Sequence, residues 1–310
     1  MASTELQQRW TSSISLVLQV IALAAVSTAA HGLTITPGHL YSTSSPTNDA
    51  IQEYDANGQW LASLAIPGGD LRGIMIGPDG LFYVVVNPGQ FGAMPHVDVI
   101  DAAGHVIRSY PFTGSVWRYV ALGKIAFSRD FSTFFVASEE GVYKFSVNGG
   151  SGIPITTELS FDVDVLPTGQ LLTAEEGAIA LRSASGALIS RITSISDPTG
   201  ISGGPVFLLG PVDAVTYSQD DDVTYVAMLA SAGQPSLFAL AGLSNVMVRF
   251  ENFSYGMDIA LVEHDRILVG SRGSAPGMFT RTMDYLGQVS GMEAPFVTAY
   301  RDRLFAHGFD

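Results

Sequence analysis

The chain has 310 residues, of which 47% are hydrophobic and only 14% are charged. Fifteen basic and 29 acidic residues give a net charge of −14, which repels a phosphate backbone and argues against nucleic acid as a partner. There is no cysteine, which excludes disulfides, thiolate metal sites and a cysteine nucleophile. The 33 glycines and 15 prolines predict many turns between short apolar segments, as in an all-β domain.

Residues 1–30 are predicted to be a secretory signal peptide. A short polar start precedes the apolar stretch 14–30, which is shorter than the about 20 residues that a membrane-spanning helix needs. Thr28 and Ala30 suit positions −3 and −1 of a cleavage before His31. We therefore expect a secreted domain at 31–310 with no stable membrane insertion. Anchoring by an uncleaved N-terminal segment is the alternative.

The sequence after residue 33 repeats one pattern of turns and apolar runs. One kind of turn joins two apolar runs, as in GIMIGPDGLFYVVV at 73–86, and a second kind joins more polar runs, as in VIDAAGHVIRSY at 99–110. Alternation with a period of two residues predicts β-strands. Turns of the first kind recur after about 40–50 residues, the length of a propeller blade with four antiparallel strands, labelled a to d. Their marker residues are Gly80, Asp130, Gly169, Asp221, Asp265 and Asp302.

The two ends of the repeat complement each other. The segment 295–308 reads as strands a and b of a blade, and the segment 39–64 reads as strands c and d with no strand before them. We therefore predict an all-β fold: a single β-propeller of six four-stranded blades, closed by pairing of the N- and C-terminal strands, which removes exposed sheet edges. Because 40–44 and 304–308 both look like strand b, seven blades is the alternative.

The two motifs quoted above resemble secreted six-bladed propellers of the NHL-repeat, gluconolactonase-like and streptogramin-lyase-like groups, over most of residues 39–308. The resemblance implies a ligand or metal site on the face formed by the b–c and d–a connections, around the mouth of the central channel. These groups include scaffolds, lactone hydrolases and lyases, so the resemblance assigns no single activity.

Acidic residues near the starts of the innermost strands are the candidate metal ligands. Alignment of these strands places Lys124, Asp162 and Asp258 in one ring, with Asp213 just before the ring position and Asp164 two residues after Asp162. We predict that the four aspartates face the channel mouth, where they can bind Ca²⁺ or another divalent cation. The resemblance to lactonases implies a metal at such positions, although the usual asparagine is missing. A structural ion pair with Lys124 is the alternative, and no cofactor is certain.

Two further loops carry paired glutamates. SEEG at 138–141 and AEEG at 174–177 occupy the same b–c position in successive blades, so four carboxylates are expected to lie in neighbouring loops. They are candidate binding residues, and a solvated acidic edge is the alternative. The four are Glu139, Glu140, Glu175 and Glu176.

His96 is the histidine expected nearest the channel mouth, because it lies in the long b–c loop 87–99. The resemblance to the lyases implies a His–Glu pair for elimination, and His96 with Glu139 is the catalytic candidate. Aromatic, arginine and lysine side chains near the mouth are candidate contacts for a ligand or protein. These are Arg72, Trp117, Lys124 and Tyr255.

Two functional hypotheses follow. The first is a secreted, monomeric propeller that serves as a scaffold and binds a small molecule or a protein at the channel-mouth face. The second is a metal-dependent, calcium-type hydrolase or lyase with an acidic site at the channel mouth. No G-x-S-x-G, P-loop, dinucleotide fingerprint or H-E-x-x-H motif is present, so the first hypothesis is favoured.

Overall fold

The regular structure of the protein is β-strand throughout the part that we describe. The computed structural model describes residues 32–43, 49–67, 69–88, 94–113, 123–196, 206–208, 210–228, 237–243, 245–250, 256–263, 265–271, 274–292 and 296–300. Within these ranges there is no helix, and so none of the length and apolarity required to cross a membrane.

The described strands are short and follow one another closely. In chain order, the first fifteen are β1 (Leu40–Thr43), β2 (Ala50–Tyr54), β3 (Trp60–Ala65), β4 (Gly69–Ile76), β5 (Phe82–Pro88), β6 (His96–Ile100), β7 (Val106–Pro111), β8 (Ile125–Phe127), β9 (Thr133–Ser138), β10 (Gly141–Ser146), β11 (Ile153–Pro154), β12 (Ser160–Val165), β13 (Leu171–Glu175), β14 (Ala178–Arg182) and β15 (Leu188–Ile192). The others are β16 (Ser194–Ile195), β17 (Val206–Phe207), β18 (Val212–Ser218), β19 (Val223–Met228), β20 (Leu237–Ala241), β21 (Asn245–Phe250), β22 (Gly256–Val262), β23 (Arg266–Ser271), β24 (Gly277–Thr280), β25 (Tyr285–Gln288) and β26 (Phe296–Ala299).

These strands form six four-stranded antiparallel sheets, the blades of a β-propeller, which confirms the six-bladed prediction. Blades 1 to 5 are β4–β7, β8–β11, β12–β15, β18–β21 and β22–β25, and blade 6 is β26 with β1, β2 and β3. β16 and β17 form a small extra pair between blades 3 and 4. The innermost strands of successive blades contact one another all round the ring, so they surround the axis.

Blade 6 closes the ring as predicted, by pairing of strands from the two ends of the chain. β26 is antiparallel to β1, with Phe296 opposite Thr43 and Ala299 opposite Leu40. The N-terminal segment, however, supplies strands b, c and d instead of only c and d. Leu40 and Thr43 are completely buried, and their apolar and β-branched side chains suit the interior position of strand b. The competing strand at 304–308 lies outside the described residues.

Apolar side chains pack between the blades, in six clusters that each join two neighbouring blades. Between blades 1 and 2, for example, Tyr83 and Val85 pack against Phe134 and Val136. The rings of Tyr83 and Phe134 meet edge to face with centroids 5.4 Å apart. Complete burial of one such side chain stabilises the fold by about 1.5–3 kcal/mol. The blades are therefore held together by interblade cores, and the innermost strands can carry polar side chains along the axis.

Candidate functional site

One β-bulge recurs near the start of the innermost strand and places the axial residues at equivalent positions. The pairing register shifts between Ser160 and Asp162 in blade 3, and between Gly256 and Asp258 in blade 5. In blade 4 the same shift leaves Asp213 as the bulged residue, immediately before the ring position. A repeated bulge re-aims side chains at the same level of the strands that contain it. The aspartates that the alignment grouped therefore lie at one end of the axis.

Lys124 crosses the axis at this end. Its ammonium forms an ion pair with Asp258 Oδ1 and lies 3.8 Å from Asp162 Oδ2. All three side chains are buried, with Lys124 only 4% exposed. Lys124 precedes the inner strand of blade 2 and Asp258 belongs to blade 5, which is the opposite blade of the six. The ion pair therefore bridges the channel and closes it at this level.

Both aspartates also accept hydrogen bonds from backbone amides of the next blade. Asp162 Oδ2 accepts from the amide of Val215, 2.9 Å away in blade 4. Asp258 Oδ2 accepts from the amide of Val297, 2.8 Å away in blade 6. Each carboxylate therefore ties the inner strand of its own blade to that of the next blade. A carboxylate that is paired and hydrogen-bonded in this way is a structural cross-link.

Asp164 makes a similar link one step further along β12. Its Oδ2 accepts hydrogen bonds from the Tyr217 amide at 2.6 Å and the Thr216 hydroxyl at 3.2 Å, both in blade 4. Its Oδ1 accepts from the amide of Val165 at 2.7 Å. Unlike Asp162 and Asp258, Asp164 has no cation beside it among the described residues, and its side chain is half-buried.

Burial changes the acidity of the axial carboxyls. It raises the pKa of Asp162 to about 7, an effect that Lys124 opposes. Burial also raises the pKa of Asp213 to about 7, with Lys124 lowering it and Glu176 raising it further. Burial raises the pKa of Asp164 to about 6, against its backbone hydrogen bonds. Burial therefore disfavours the charged form of these carboxyls, and a positive charge beside them would stabilise that form.

A cavity of about 280 Å³ follows the axis from the Lys124 ion pair towards the a–b turns. All six innermost strands contribute to its wall. At the far end it reaches Arg129, Gln219 and Asp220, which are exposed turn residues. The cavity therefore opens on the face of the a–b turns, whereas the sequence had pointed to the face of the b–c and d–a connections.

The wall of this cavity changes in character along its length. The closed end is charged, and apolar residues such as Met75, Ala126 and Ala260 line the middle. Aromatic and apolar side chains line the open end. These are Phe127, Phe131, Leu166, Pro167 and Tyr217. The sequence gives no signal for this group, because residues of a–b turns are typical of turns alone.

The predicted metal ligands are brought together only in part. Asp162 and Asp258 converge on Lys124, and a buried oxygen of Asp213 has no hydrogen-bond partner among the described atoms. Calcium requires several oxygens at about 2.3–2.6 Å from one point. In the described part of the chain, no group of three or more His, Asp or Glu residues has the geometry to hold a metal. A metal at the four aspartates stays a prediction.

The predicted cluster of glutamates is divided. Glu175 is only 1% exposed and forms ion pairs with Arg182 at 2.6 Å and Arg191 at 3.1 Å, all within blade 3. Glu176 is exposed, and Glu139 and Glu140 are half-buried in the b–c turn of blade 2. The charge of Glu175 is therefore balanced by two arginines of its own blade. The two arginine partners were missed because they follow Glu175 by seven and sixteen residues on separate strands.

His96 has an acidic partner other than the predicted Glu139. Its Nε2 lies 3.4 Å from Asp98 Oδ2, and the hydrogen bond with Asp98 raises the pKa of His96. Asp98 also accepts a hydrogen bond from the Ser109 hydroxyl. These residues lie on β6 and β7, the outer strands of blade 1, and none of them lines the axial cavity.

The remaining predicted binding residues are placed as follows. Arg72 lies in the bulge of β4. Its Nε donates a hydrogen bond to Asp70 Oδ2 at 3.0 Å. Next to it, a Cβ on Gly73 would lie 1.8 Å from the Gly123 carbonyl oxygen, so only glycine allows the chain before Lys124 to come this close. Trp117 and Tyr255 lie outside the described residues.

Comparisons with known proteins support the fold alone. No family model matches the chain, and no curated protein matches it. Among solved structures, a protein of unknown function from Bacteroides caccae is 14% identical, with a TM-score of 0.50, covering 72% of this chain and 97% of its own. A functionally unknown protein from Desulfotomaculum acetoxidans is also 14% identical, with a TM-score of 0.55, covering 87% of this chain and 88% of its own. The chain is a six-bladed β-propeller, and membership of the NHL-repeat or gluconolactonase-like groups is not shown.

Proposed function

We propose that this protein is a secreted binding propeller that takes a small molecule into its axial cavity from the a–b turn face. The observation that carries the proposal is the cavity itself, about 280 Å³ in volume and walled by all six blades. Ligand pockets usually measure about 300–1,000 Å³ and combine apolar walls with a few convergent polar groups. This cavity is just below that range in volume and has both features.

The lining indicates the chemistry of the ligand. Asp162, Asp164, Asp258 and Asp220 contribute four carboxyl groups to the lining, against the ammonium of Lys124 and the guanidinium of Arg129. This excess of acceptors favours a ligand whose head group donates hydrogen bonds or carries a positive charge, such as an amine. The apolar middle and aromatic mouth favour an apolar body behind that head. We therefore propose a small amphipathic molecule as the ligand.

The position of Lys124 favours a binding protein over the alternative of a metal-dependent hydrolase or lyase. Its side-chain nitrogen lies between Asp162 and Asp258, at the level where the sequence predicted a cation. His96, the proposed proton-transfer residue, pairs with Asp98 on the outer strands of blade 1.

Thermal-shift and calorimetric measurements with benzylamine, benzyl alcohol and benzoate test the proposal. We expect benzylamine to bind most tightly, benzyl alcohol more weakly and benzoate least. The variant Thr216→Phe fills the cavity from β18 and should abolish binding, while Thr282→Phe on the exposed c–d turn of blade 5 should preserve it. Failure of all three probes to bind, or equal binding to Thr216→Phe, contradicts the proposal.

Secretion is tested separately by the mass of the protein recovered from the medium of an expressing cell. Cleavage before His31 is expected, which leaves the docked segment that begins at Gly32 intact. Leu33 is buried between blades 6 and 1, and its amide donates to the Ala102 carbonyl at 2.7 Å. Recovery of the full-length chain in the membrane fraction would instead support the anchored alternative.

A further inference from the structure

The a–b turns of the described blades share one backbone feature, and in blade 2 it occurs at an unusual residue type. In each of blades 1 to 5 the turn contains a residue with a positive φ. These residues are Gly80 (71°), Phe131 (53°), Gly169 (77°), Asp222 (53°) and Asp265 (56°). Glycine adopts this left-handed conformation freely and aspartate tolerates it, whereas a bulky side chain is strained by about 1–2 kcal/mol. Phe131 is the one bulky residue among the five.

The turn of blade 2 is completed by its own polar groups. The Phe131 amide donates to the Ser128 carbonyl at 2.9 Å, as in the equivalent turns of blades 1 and 3. Asp130 accepts hydrogen bonds from the Ser128 hydroxyl at 2.7 Å and from the Ser132 amide at 3.1 Å. Glycine serves at the same position in the two neighbouring blades. The hydrogen bonds of the turn therefore do not require an aromatic side chain at this strained position.

The Phe131 side chain is part of the cavity wall. It is half-buried at the open end, and its ring centroid is 6.3 Å from that of Phe127. Beside it, Arg129 Nη1 donates to the Pro167 carbonyl at 3.1 Å and joins the turns of blades 2 and 3. The Phe127 ring also packs edge to face against Tyr83 in the core between blades 1 and 2. The Phe131 ring therefore lies against this core and adds apolar surface at the open end of the cavity.

We infer that Phe131 is a specificity-determining residue whose ring, together with Phe127, contacts a ring or other compact apolar group of the ligand at the cavity mouth. This inference rests on the proposed function. Strained residues in folded proteins occur preferentially at sites of function, where the strain is retained because the side chain is needed there. The ligand class is thereby narrowed to small molecules with a polar head and a compact apolar group.

The test compares two probes and two variants. Benzylamine carries a ring and ethylamine does not, while both present the same ammonium. Phe131→Asn removes the ring and keeps a residue type that tolerates positive φ. Asp265→Asn is the matched control, because it changes the equivalent turn of blade 5, which is exposed and lies outside the cavity wall.

In Phe131→Asn we expect the Kd for benzylamine to rise roughly three- to tenfold, because one aromatic contact is lost. The Kd for ethylamine should not change. We expect the Tm to change by less than about 4 °C, since the relieved strain offsets the lost packing. Asp265→Asn should bind both probes as the wild type does. If Phe131→Asn fails to fold, Phe131→Leu replaces it, and a smaller loss of benzylamine affinity is expected.

Benzylamine binding within twofold of the wild type in Phe131→Asn overturns the inference while leaving the proposed function in place. A parallel loss of ethylamine affinity also overturns it, because Phe131 would then act on the cavity as a whole. Failure of the wild type to bind any of the amine or alcohol probes overturns the proposed function and this inference together.

Discussion

Lys124 and Asp258 form a buried ion pair that joins opposite blades of the propeller across its axis. Most contacts in a propeller link strands of one blade or of adjacent blades, whereas this pair spans the ring. Asp162, from blade 3, lies on the same ammonium. The pair therefore has two consequences: it closes one end of the axial cavity, and it fixes the distance between blades 2 and 5.

Loss of the Lys124 charge is expected to be strongly destabilising. Lys124→Met leaves Asp162 and Asp258 buried without their cation, which should lower the free energy of unfolding by about 3–5 kcal/mol. Urea unfolding followed by circular dichroism measures this loss. Lys144→Met is the control: this side chain lies 5.9 Å from the Phe135 ring centre, and its replacement should cost less than about 1 kcal/mol. Equal effects of the two substitutions would contradict the axial role of Lys124.

The elevated pKa of Asp213 predicts a specific dependence of stability on pH. Because its carboxyl binds a proton more tightly in the folded state than in the unfolded state, its contribution is fully present below pH 3.8 and is lost as the pH rises through about 7. Asp213→Asn removes this loss. Relative to the wild type, we expect the free energy of unfolding of the variant to increase by about 1–3 kcal/mol as the pH rises from 4 to 8. A difference that is constant over this range contradicts the prediction.

Calcium is expected to have little effect on stability if Lys124 is the cation of the axial cluster. Neither added CaCl₂ nor a chelator should shift the Tm of the purified protein. A calcium site filled at a hundred times its Kd would raise the free energy of unfolding by about 2.7 kcal/mol. A stabilisation that a chelator reverses would therefore support the metal-dependent alternative, and its loss in Asp162→Asn would locate the ion.

Glu53 is predicted to hold the N-terminal segment against blade 6. It is 2% exposed and accepts hydrogen bonds from the Thr34 amide at 2.9 Å and the Thr34 hydroxyl at 2.6 Å, and it lies 2.7 Å from His39 Nδ1. Glu53→Gln should lower the free energy of unfolding by about 1–3 kcal/mol. Glu158→Gln, at a half-exposed glutamate 3.5 Å from Arg182, should cost less than about 1 kcal/mol. Equal losses would contradict this role of Glu53.

The blade repeat and the axial ring were predictable from the sequence, because both are periodic. Turn residues recur at blade spacing, and alignment of the strands on those turns places Lys124, Asp162 and Asp258 together. The prediction that 39–64 supplies only strands c and d is wrong for Leu40–Thr43, since the segments 40–44 and 304–308 share the local pattern of strand b. Only the pairing of β26 with β1 decides between them.

The cavity was not predictable in the same way. Its open end depends on side chains from several a–b turns. In the sequence, motifs such as SRDF and QDDD indicate only a turn and not a shared cavity. The positive φ of Phe131 has no signal in the sequence, because a bulky residue is the least expected one in that conformation. The pairing of Glu175 with Arg182 likewise depends on strand register within blade 3.

The most direct test of the central claim is a crystal structure of the protein soaked with benzylamine. We expect density for the probe inside the axial cavity, with its ammonium towards Asp164 and its ring against Phe127 and Phe131. Density confined to the face of the b–c and d–a connections, or an axial cavity that stays free of the probe while it binds in solution, would contradict the claim.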